Sequence, residues 1–405
     1  MKINGVLFFI VFCFSYLFIN VYAVDRAVLV HNTLEEIDNC KGKLHLKLIR
    51  VWGGDEEEDE NKFFRTPVSM VIDENNVLYI CDWHSHCIKV FDQYGSYLRT
   101  IGRKGQGPGD LYGPKYISFS SEGDILVFEW GGLRFQWFSR EGKSKRILKY
   151  NGPASWIGVT SRNEIVFYDI YKAFMQRKLI SIMNNKGKVL KEFGSYHDKS
   201  KNYVTSEKIE FSIDDSDNIY AANQRTPFVR KYSPDGKLLM VITFETPFKI
   251  PVEITLTPAG DDIERKEEID NIEEKVKIAR INNGVAIQYN KSKKRVDTGI
   301  CNAIGIDSKD RIYIVTSRRY LTEKESSGTS ISGTVSWLNR ELVDYDIVEN
   351  IDVNQLLVFD QNGKIVAQSP MTTFCDNIYI HDNRIFIIDG FLNQRILEYE
   401  MSFKK

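Results

Sequence analysis

The densest group of side chains able to do chemistry is the run Cys81-Asp82-Trp83-His84-Ser85-His86-Cys87. Two imidazoles and two thiols are ligands that a borderline-soft ion such as zinc accepts. The spacing argues against such a site. Zinc ribbons and fingers use Cys-x2-4-Cys, whereas five residues separate Cys81 from Cys87 and both His fall in one short turn. No metal ligand is therefore assigned, and the run reads as a hairpin whose loop carries His84 and His86. With Cys81 ending one strand and Cys87 beginning its antiparallel neighbour, the two thiols are a candidate cross-strand disulfide. Cys301 and Cys375 stand at corresponding positions later in the chain and form a second candidate bridge.

Trp83, Trp130, Arg134 and Arg225 join His84 and His86 as candidate ligand-binding residues, since aromatic rings and Arg are favoured at interaction surfaces. The alternative is that each Trp packs in the interior. Nucleophilic catalysis has no support: there is no Gly-x-Ser-x-Gly elbow, and the 6 His show no triad-like spacing. The Gly-rich stretch 102–109 contains Pro108 and opens no helix, so it is not a phosphate cradle. Asp73, Asp214 and Asp307 recur at equivalent turns and read as turn-capping carboxylates. No catalytic residue and no cofactor is assigned.

The elements that hold these residues are repeats. Residues 67–102, 114–148, 153–194 and 208–244 follow one plan, and fragments of it return at 302–317, 355–368 and 377–399. An apolar strand leads to a polar turn, then to a second strand such as LYIC or ILVF. A loop follows, then a third strand ending in an aromatic, a turn closing on Gly, and a fourth strand. The closing glycines are Gly95, Gly142, Gly187, Gly236 and Gly363. Four short strands in each 40–50 residues are the pattern of propeller blades. Second strands fall at 77–81, 124–128, 164–168, 218–222, 311–315 and 384–388, giving six blades. The sixth unit lacks a fourth strand, and residues 44–52 (LHLKLIRVW) match that element. They are expected to complete the sixth blade and close the ring, so that no blade interface stays open. The fold class is all-β: a six-bladed β-propeller of four-stranded antiparallel blades, closed by an N-terminal strand, with one helix-containing insertion.

Residues 81–114, CDWHSHCIKVFDQYGSYLRTIGRKGQGPGDLYGP, resemble NHL-repeat propellers, and in particular exported bacterial six-bladed β-propeller proteins. The shared pattern is Asp, a short loop, apolar-x-Val-Phe-Asp, Gly, Ile-Gly, Gly-x-Gly-Pro-Gly and Pro. The resemblance spans about residues 44–400. Where such repeats commonly place Arg before the third strand, this chain has Cys87. The resemblance implies a fold that hosts scaffolds, ligand binders, lyases and relatives of lactonases, so it selects no function. Lactonase relatives hold calcium through Glu, Asn and Asp in the channel, and no such set is assembled from this sequence.

The chain of 405 residues carries 54 basic and 55 acidic side chains, a net charge of -1, which favours neither nucleic acid nor an anionic membrane surface. Lys2, the apolar run 6–19 and the small-residue pattern around Ala23 read as a signal peptide over 1–23. Phe12 before Cys13 argues against lipidation. Export to the periplasm or exterior is expected, with no membrane span once the signal is removed. Residues 24–43 form a lead segment and 44–401 the propeller, with insertions at 245–299 and 318–353. In the first insertion Ile269, Ile272, Val276 and Ala279 are spaced as on one amphipathic helix. Strands alternate in direction, so loops between second and third strands share a rim with the links between blades. Both insertions, the acidic run 55–60, the loop 82–86 and the stretch 105–110 are expected on that rim. The function expected is a monomeric, non-catalytic binding or scaffolding protein with a protein, peptide or glycan partner. The alternative is a metal-dependent lyase or lactone hydrolase working in the central channel.

Overall fold

Strands in the middle of a blade are covered on both faces, so their residues are apolar at successive positions rather than alternate ones. The second strands Leu78–Asp82, Ile125–Glu129 and Ile312–Ser317 are buried throughout. In the computed structural model, which describes residues 27–54, 59–176, 178–197, 209–224, 227–246, 301–318, 354–373, 375–390 and 393–404 and the backbone of five short strands between 253 and 296, this pattern builds six blades.

Blade one comprises Pro67–Ile72, Leu78–Asp82, Cys87–Phe91 and Tyr97–Ile101; blade two, Pro114–Phe119, Ile125–Glu129, Arg134–Phe138 and Ser144–Lys149. Blade three comprises Ala154–Val159, Ile165–Asp169, Lys178–Met183 and Val189–His197; blade four, Ile209–Ile213, Ile219–Asn223, Phe228–Tyr232 and Leu238–Phe244. Blade five comprises Cys301–Ile306, Ile312–Ser317, Asn354–Phe359 and Ile365–Pro370. Blade six takes Asn377–His381, Arg384–Asp389 and Arg395–Lys404 from the end of the chain and Lys43–Gly53 from near its beginning. The first strand of each blade lies against that of the next, and blade six lies against blade one.

Side-chain alternation divides each blade between two seams. Tyr79 and Cys81 pack with Ile117 and Val127 of blade two, whereas Leu78 and Ile80 pack with Trp52, Phe386 and Ile388 of blade six. The same division holds round the ring: each buried apolar cluster spans one seam. Burial of each large side chain contributes about 1.5–3 kcal/mol, and it is gained only when both neighbouring blades are present.

The closing strand pairs as expected. Lys43–Gly53 runs antiparallel to Arg395–Lys404 from Lys43↔Lys404 to Gly53↔Arg395, with a bulge between Leu48 and Arg50. The lead segment is also part of the ring. Val28–Asn32 adds a parallel fifth strand to blade four beside Leu238–Phe244. Thr33 then caps the helix Leu34–Asp38, its Oγ1 accepting from Glu36 N (3.1 Å) while Glu36 Oε2 accepts from Thr33 N (2.9 Å). The fully buried Asn32 donates from Nδ2 to Gly363 O (2.9 Å) and Thr243 O (3.2 Å), and its Oδ1 accepts from Ile365 N (2.9 Å). One side chain thus ties blade four to blade five.

The recurring turns also form as expected. Asp73 Oδ1 accepts from Asn75 N and Val77 N, both at 2.9 Å, and Asp214 and Asp307 repeat the arrangement. Gly95, with φ 90°, closes its turn in a conformation that a Cβ disfavours.

Two expectations are corrected. Lys277–Ile281, which includes Ala279, is a strand paired with Gly284–Gln288 rather than the end of a helix. Asn282-Asn283-Gly284 is a hairpin turn signal, and it outweighs the three-and-four spacing of a few apolar residues. The remainder of that run, with Ile269, Ile272 and Val276, lies outside the described residues, as do 1–23 and 319–353. The cysteines are not bridged. Cys81 stands opposite Ile88 and Cys87 opposite Asp82, so the period of two sends the two thiols to opposite faces of the sheet. Cys301 and Cys375 are likewise free.

Candidate functional site

Blade-entry links and the loops between second and third strands meet at one end of the ring. Trp83 N donates to Thr66 O (2.9 Å), Trp130 N to Gly113 O (2.9 Å) and Ile170 N to Pro153 O (3.2 Å). The long excursions leave from the same end, after Phe244 and after Ser317.

Each second strand ends there in a buried polar residue, and in blades one to three that residue organises the neighbouring loops. Asp82 accepts from Arg65 N (2.9 Å), Thr66 N (2.8 Å) and Ser85 Oγ (2.6 Å). Glu129 accepts from Tyr112 N (2.8 Å), Arg134 Nε (2.6 Å) and Gln136 Nε2 (3.1 Å). Arg134 is therefore engaged internally: it also donates to Gln106 O (2.5 Å) and Asp110 O (2.9 Å), holding the 105–110 stretch in place. Asp169 accepts from the Tyr150 hydroxyl and from Lys172 N (2.9 Å).

The first strands carry a matching irregularity. In blades one, two, three and five the ladder shifts by one residue near this end, leaving Val68, Lys115, Trp156 and Asn302 as the extra residues. A bulge of this kind re-aims one side chain out of the alternation. In blade two it delivers Lys115 between aromatic rings. The Lys115 ammonium lies 4.9 Å from the Trp83 ring centroid, 4.4 Å from that of Trp130 and 5.6 Å from that of Tyr116. Such contacts stabilise a desolvated cation by about 1–2 kcal/mol. Gly113, with φ 65°, leaves room for this packing: a Cβ there would come 2.9 Å from Trp83 Nε1.

The two loop histidines flank the cluster. His84 is exposed, stacks on Trp83 (centroids 5.0 Å apart) and shares a 2.6 Å hydrogen bond with Thr66 Oγ1 through Nδ1. His86 stacks on the exposed ring of Tyr112 (5.5 Å), and its Nδ1 accepts from Gly113 N (3.0 Å). Burial, with help from Lys104, lowers the His86 pKa and favours the neutral ring that this bond requires. Of the expected binding residues, the structure thus gathers Trp83, Trp130, His84 and His86, and holds Arg134 within the same loops. Arg225 lies outside the described residues.

Lys115 was not singled out by sequence, nor was Glu210. Glu210 is buried on the first strand of blade four and accepts from Gln224 Nε2 (2.5 Å). Its charge helps to raise the pKa of Tyr116, Tyr379 and Cys301, from three other blades, behind the larger effect of burial. The thiols are poor nucleophiles, since burial pushes Cys87 up to about 12 and Cys81 and Cys301 higher. Among the described residues, no three of His, Cys, Asp and Glu gather as a metal-binding group.

A family model described as 6-bladed beta-propeller, DUF5128, matches residues 58–295, more than half of the chain. The chain belongs to the DUF5128 6-bladed beta-propeller family. A search of the curated proteins finds no match. Among solved structures, this DUF5128 propeller is similar to a member of the duf4221 family from Bacteroides vulgatus, at 11% identity and TM-score 0.53, with 90% of this chain and 99% of that chain covered. It is also similar to a Bacteroides fragilis protein whose description proposes export, at 11% identity and TM-score 0.52, with 93% and 100% covered. A virginiamycin B lyase from Staphylococcus aureus matches at 12% identity and TM-score 0.45, with 89% and 99% covered. At such identities the likeness is one of fold. No helix among the described residues is long and apolar enough to cross a membrane.

Proposed function

We propose that this DUF5128 propeller is an exported, monomeric, non-catalytic binding or scaffolding protein that offers its loop-bearing end to a protein, peptide or glycan. The observation that carries this reading is the Lys115 ammonium set between Trp83 and Trp130, with the faces of His84 and Tyr112 exposed beside it. Aromatic faces and a cation fixed on a rigid scaffold suit recognition, and fixed side chains forfeit little entropy on binding. The buried, high-pKa thiols supply no nucleophile at neutral pH. Export is supported by the apolar run 6–19 and accords with the description of the Bacteroides fragilis neighbour.

The test is to apply the purified protein to glycan and peptide arrays beside its Trp130→Ala and Lys115→Met variants. Reproducible binding that falls by about tenfold or more in both variants, about 1.4 kcal/mol, with melting temperature preserved, supports the proposal. A blank array, or binding unchanged by either substitution, rejects it.

A further inference from the structure

Two cations beside the rim cluster have no use within the fold. Arg65 and Lys104 are exposed, and among the described residues neither makes a side-chain hydrogen bond or ion pair. Arg65 immediately precedes Thr66, whose Oγ1 shares a hydrogen bond with His84 Nδ1 at 2.6 Å. Lys104 forms a parallel bridge with Leu111, the residue before Tyr112. One cation therefore stands beside each of the two stacked pairs, Trp83 with His84 and His86 with Tyr112. Both charges reach His86: after burial, Lys104 is the largest cause of its lowered pKa, and Arg65 adds to the effect.

The carboxylates around the cluster are engaged. Asp82 accepts from three donors, Glu129 is paired with Arg134, and Asp110 is paired with Arg103 at 3.0 Å. Asp59 and Glu60, the part of the acidic run within the described residues, stand at the other seam of blade one. There Lys89 Nζ donates to Glu60 O (2.9 Å) and lies 5.8 Å from the ring centroid of Phe64, which packs with blade six. The rings are also held in place. Gly113 N donates to His86 Nδ1 (3.0 Å), and Gly131 leaves room for the Tyr112 ring, since a Cβ there would come 2.5 Å from Tyr112 Cδ1.

We propose that this rim binds an anionic glycan, a reading that rests on recognition at the loop-bearing end and names its ligand class. The exposed faces of His84 and Tyr112 take up sugar rings, because the negative face of an aromatic ring attracts polarised C–H bonds. Arg65 and Lys104 pair with the sulfate or carboxylate groups carried by those rings. An acidic peptide gains less, since peptide recognition draws on a free strand edge or on side-chain pockets, and the cluster presents flat rings.

Affinity measurements on the purified protein with dextran sulfate, dextran and polyaspartate test this. Saturable binding of dextran sulfate is expected, at least about tenfold tighter than that of either comparison polymer and weakened by added salt. The double variant Arg65→Gln, Lys104→Gln and the single variant Tyr112→Ala should each lose about tenfold or more, with melting temperature preserved. No saturable binding of dextran sulfate, equal affinity for polyaspartate, or full affinity in the folded double variant overturns the proposal. Equal affinity for dextran and dextran sulfate, lost in Trp130→Ala, overturns the preference for anions while leaving the rim as a glycan-binding surface.

Discussion

Asn32 Nδ2 donates to the carbonyl of Gly363 at 2.9 Å, joining the lead segment to the closing turn of blade five. With its further bonds to Thr243 and Ile365, this fully buried amide serves three backbone groups from two blades. Asn32→Ala leaves those groups without partners at a cost of about 1–3 kcal/mol each before relaxation or water entry. We expect a loss of about 3 kcal/mol in urea unfolding. An unchanged midpoint would show that the lead segment adds nothing to the ring.

Arg134 and Glu129 form a buried ion pair at 2.6 Å, with Arg134 7% exposed and Glu129 fully buried. Removing one partner strands the other charge, and such losses cost about 3–5 kcal/mol. Arg134→Ala is therefore expected to destabilise strongly and to release the 105–110 stretch, which Arg134 holds through backbone carbonyls. Limited proteolysis should cut the variant there well before the wild type.

His86 and His381 both titrate below 6.5, because burial disfavours the imidazolium. Their folded pKa values are depressed, so the native state binds fewer protons than the unfolded chain as pH falls past 6.5. The stability they contribute is complete above about 6.5 and is lost as pH falls toward the folded values. The urea midpoint should be higher at pH 7.5 than at pH 5.5. His86→Asn, which tolerates the local φ of 58°, should make that slope shallower. A slope equal to that of the wild type would exclude His86 as a contributor.

Cys81, Cys87 and Cys301 are buried, unbridged thiols with raised pKa values. A thiol reagent at pH 8 should leave them unmodified in native protein and react once urea is added. Peptide mapping that finds them labelled rapidly in native buffer, or joined in disulfides, would contradict the packing described.

The ring was legible because its signals are periodic. LHLKLIRVW resembles a fourth strand, and the unit ending near Lys405 lacks one, so the pairing of Lys43–Gly53 with Arg395–Lys404 could be expected. The site was legible only in part. Trp83 and Trp130 could be placed by counting strands, but Lys115 reads as an ordinary charged residue after Pro114. What turns it inward is a shift of register between Pro114↔Glu129 and Tyr116↔Phe128. Register depends on both strands at once and leaves no mark in either alone. The Cys81–Cys87 bridge failed for the same reason, by a displacement of one residue. Asn32 was missed because its partners are backbone atoms of distant turns, to which residue identity gives no clue.

The closing strand also sets the order of assembly. During synthesis residues 43–53 emerge long before their partner at Arg395–Lys404. Until then the strand keeps unpaired amides and the exposed side chains of Leu48, Ile49 and Val51, an edge prone to mispairing. Joining the chain's extremes carries a high contact order, so final docking should be slow relative to the formation of single blades. That waiting edge stays open to mispairing until the partner strand has been made.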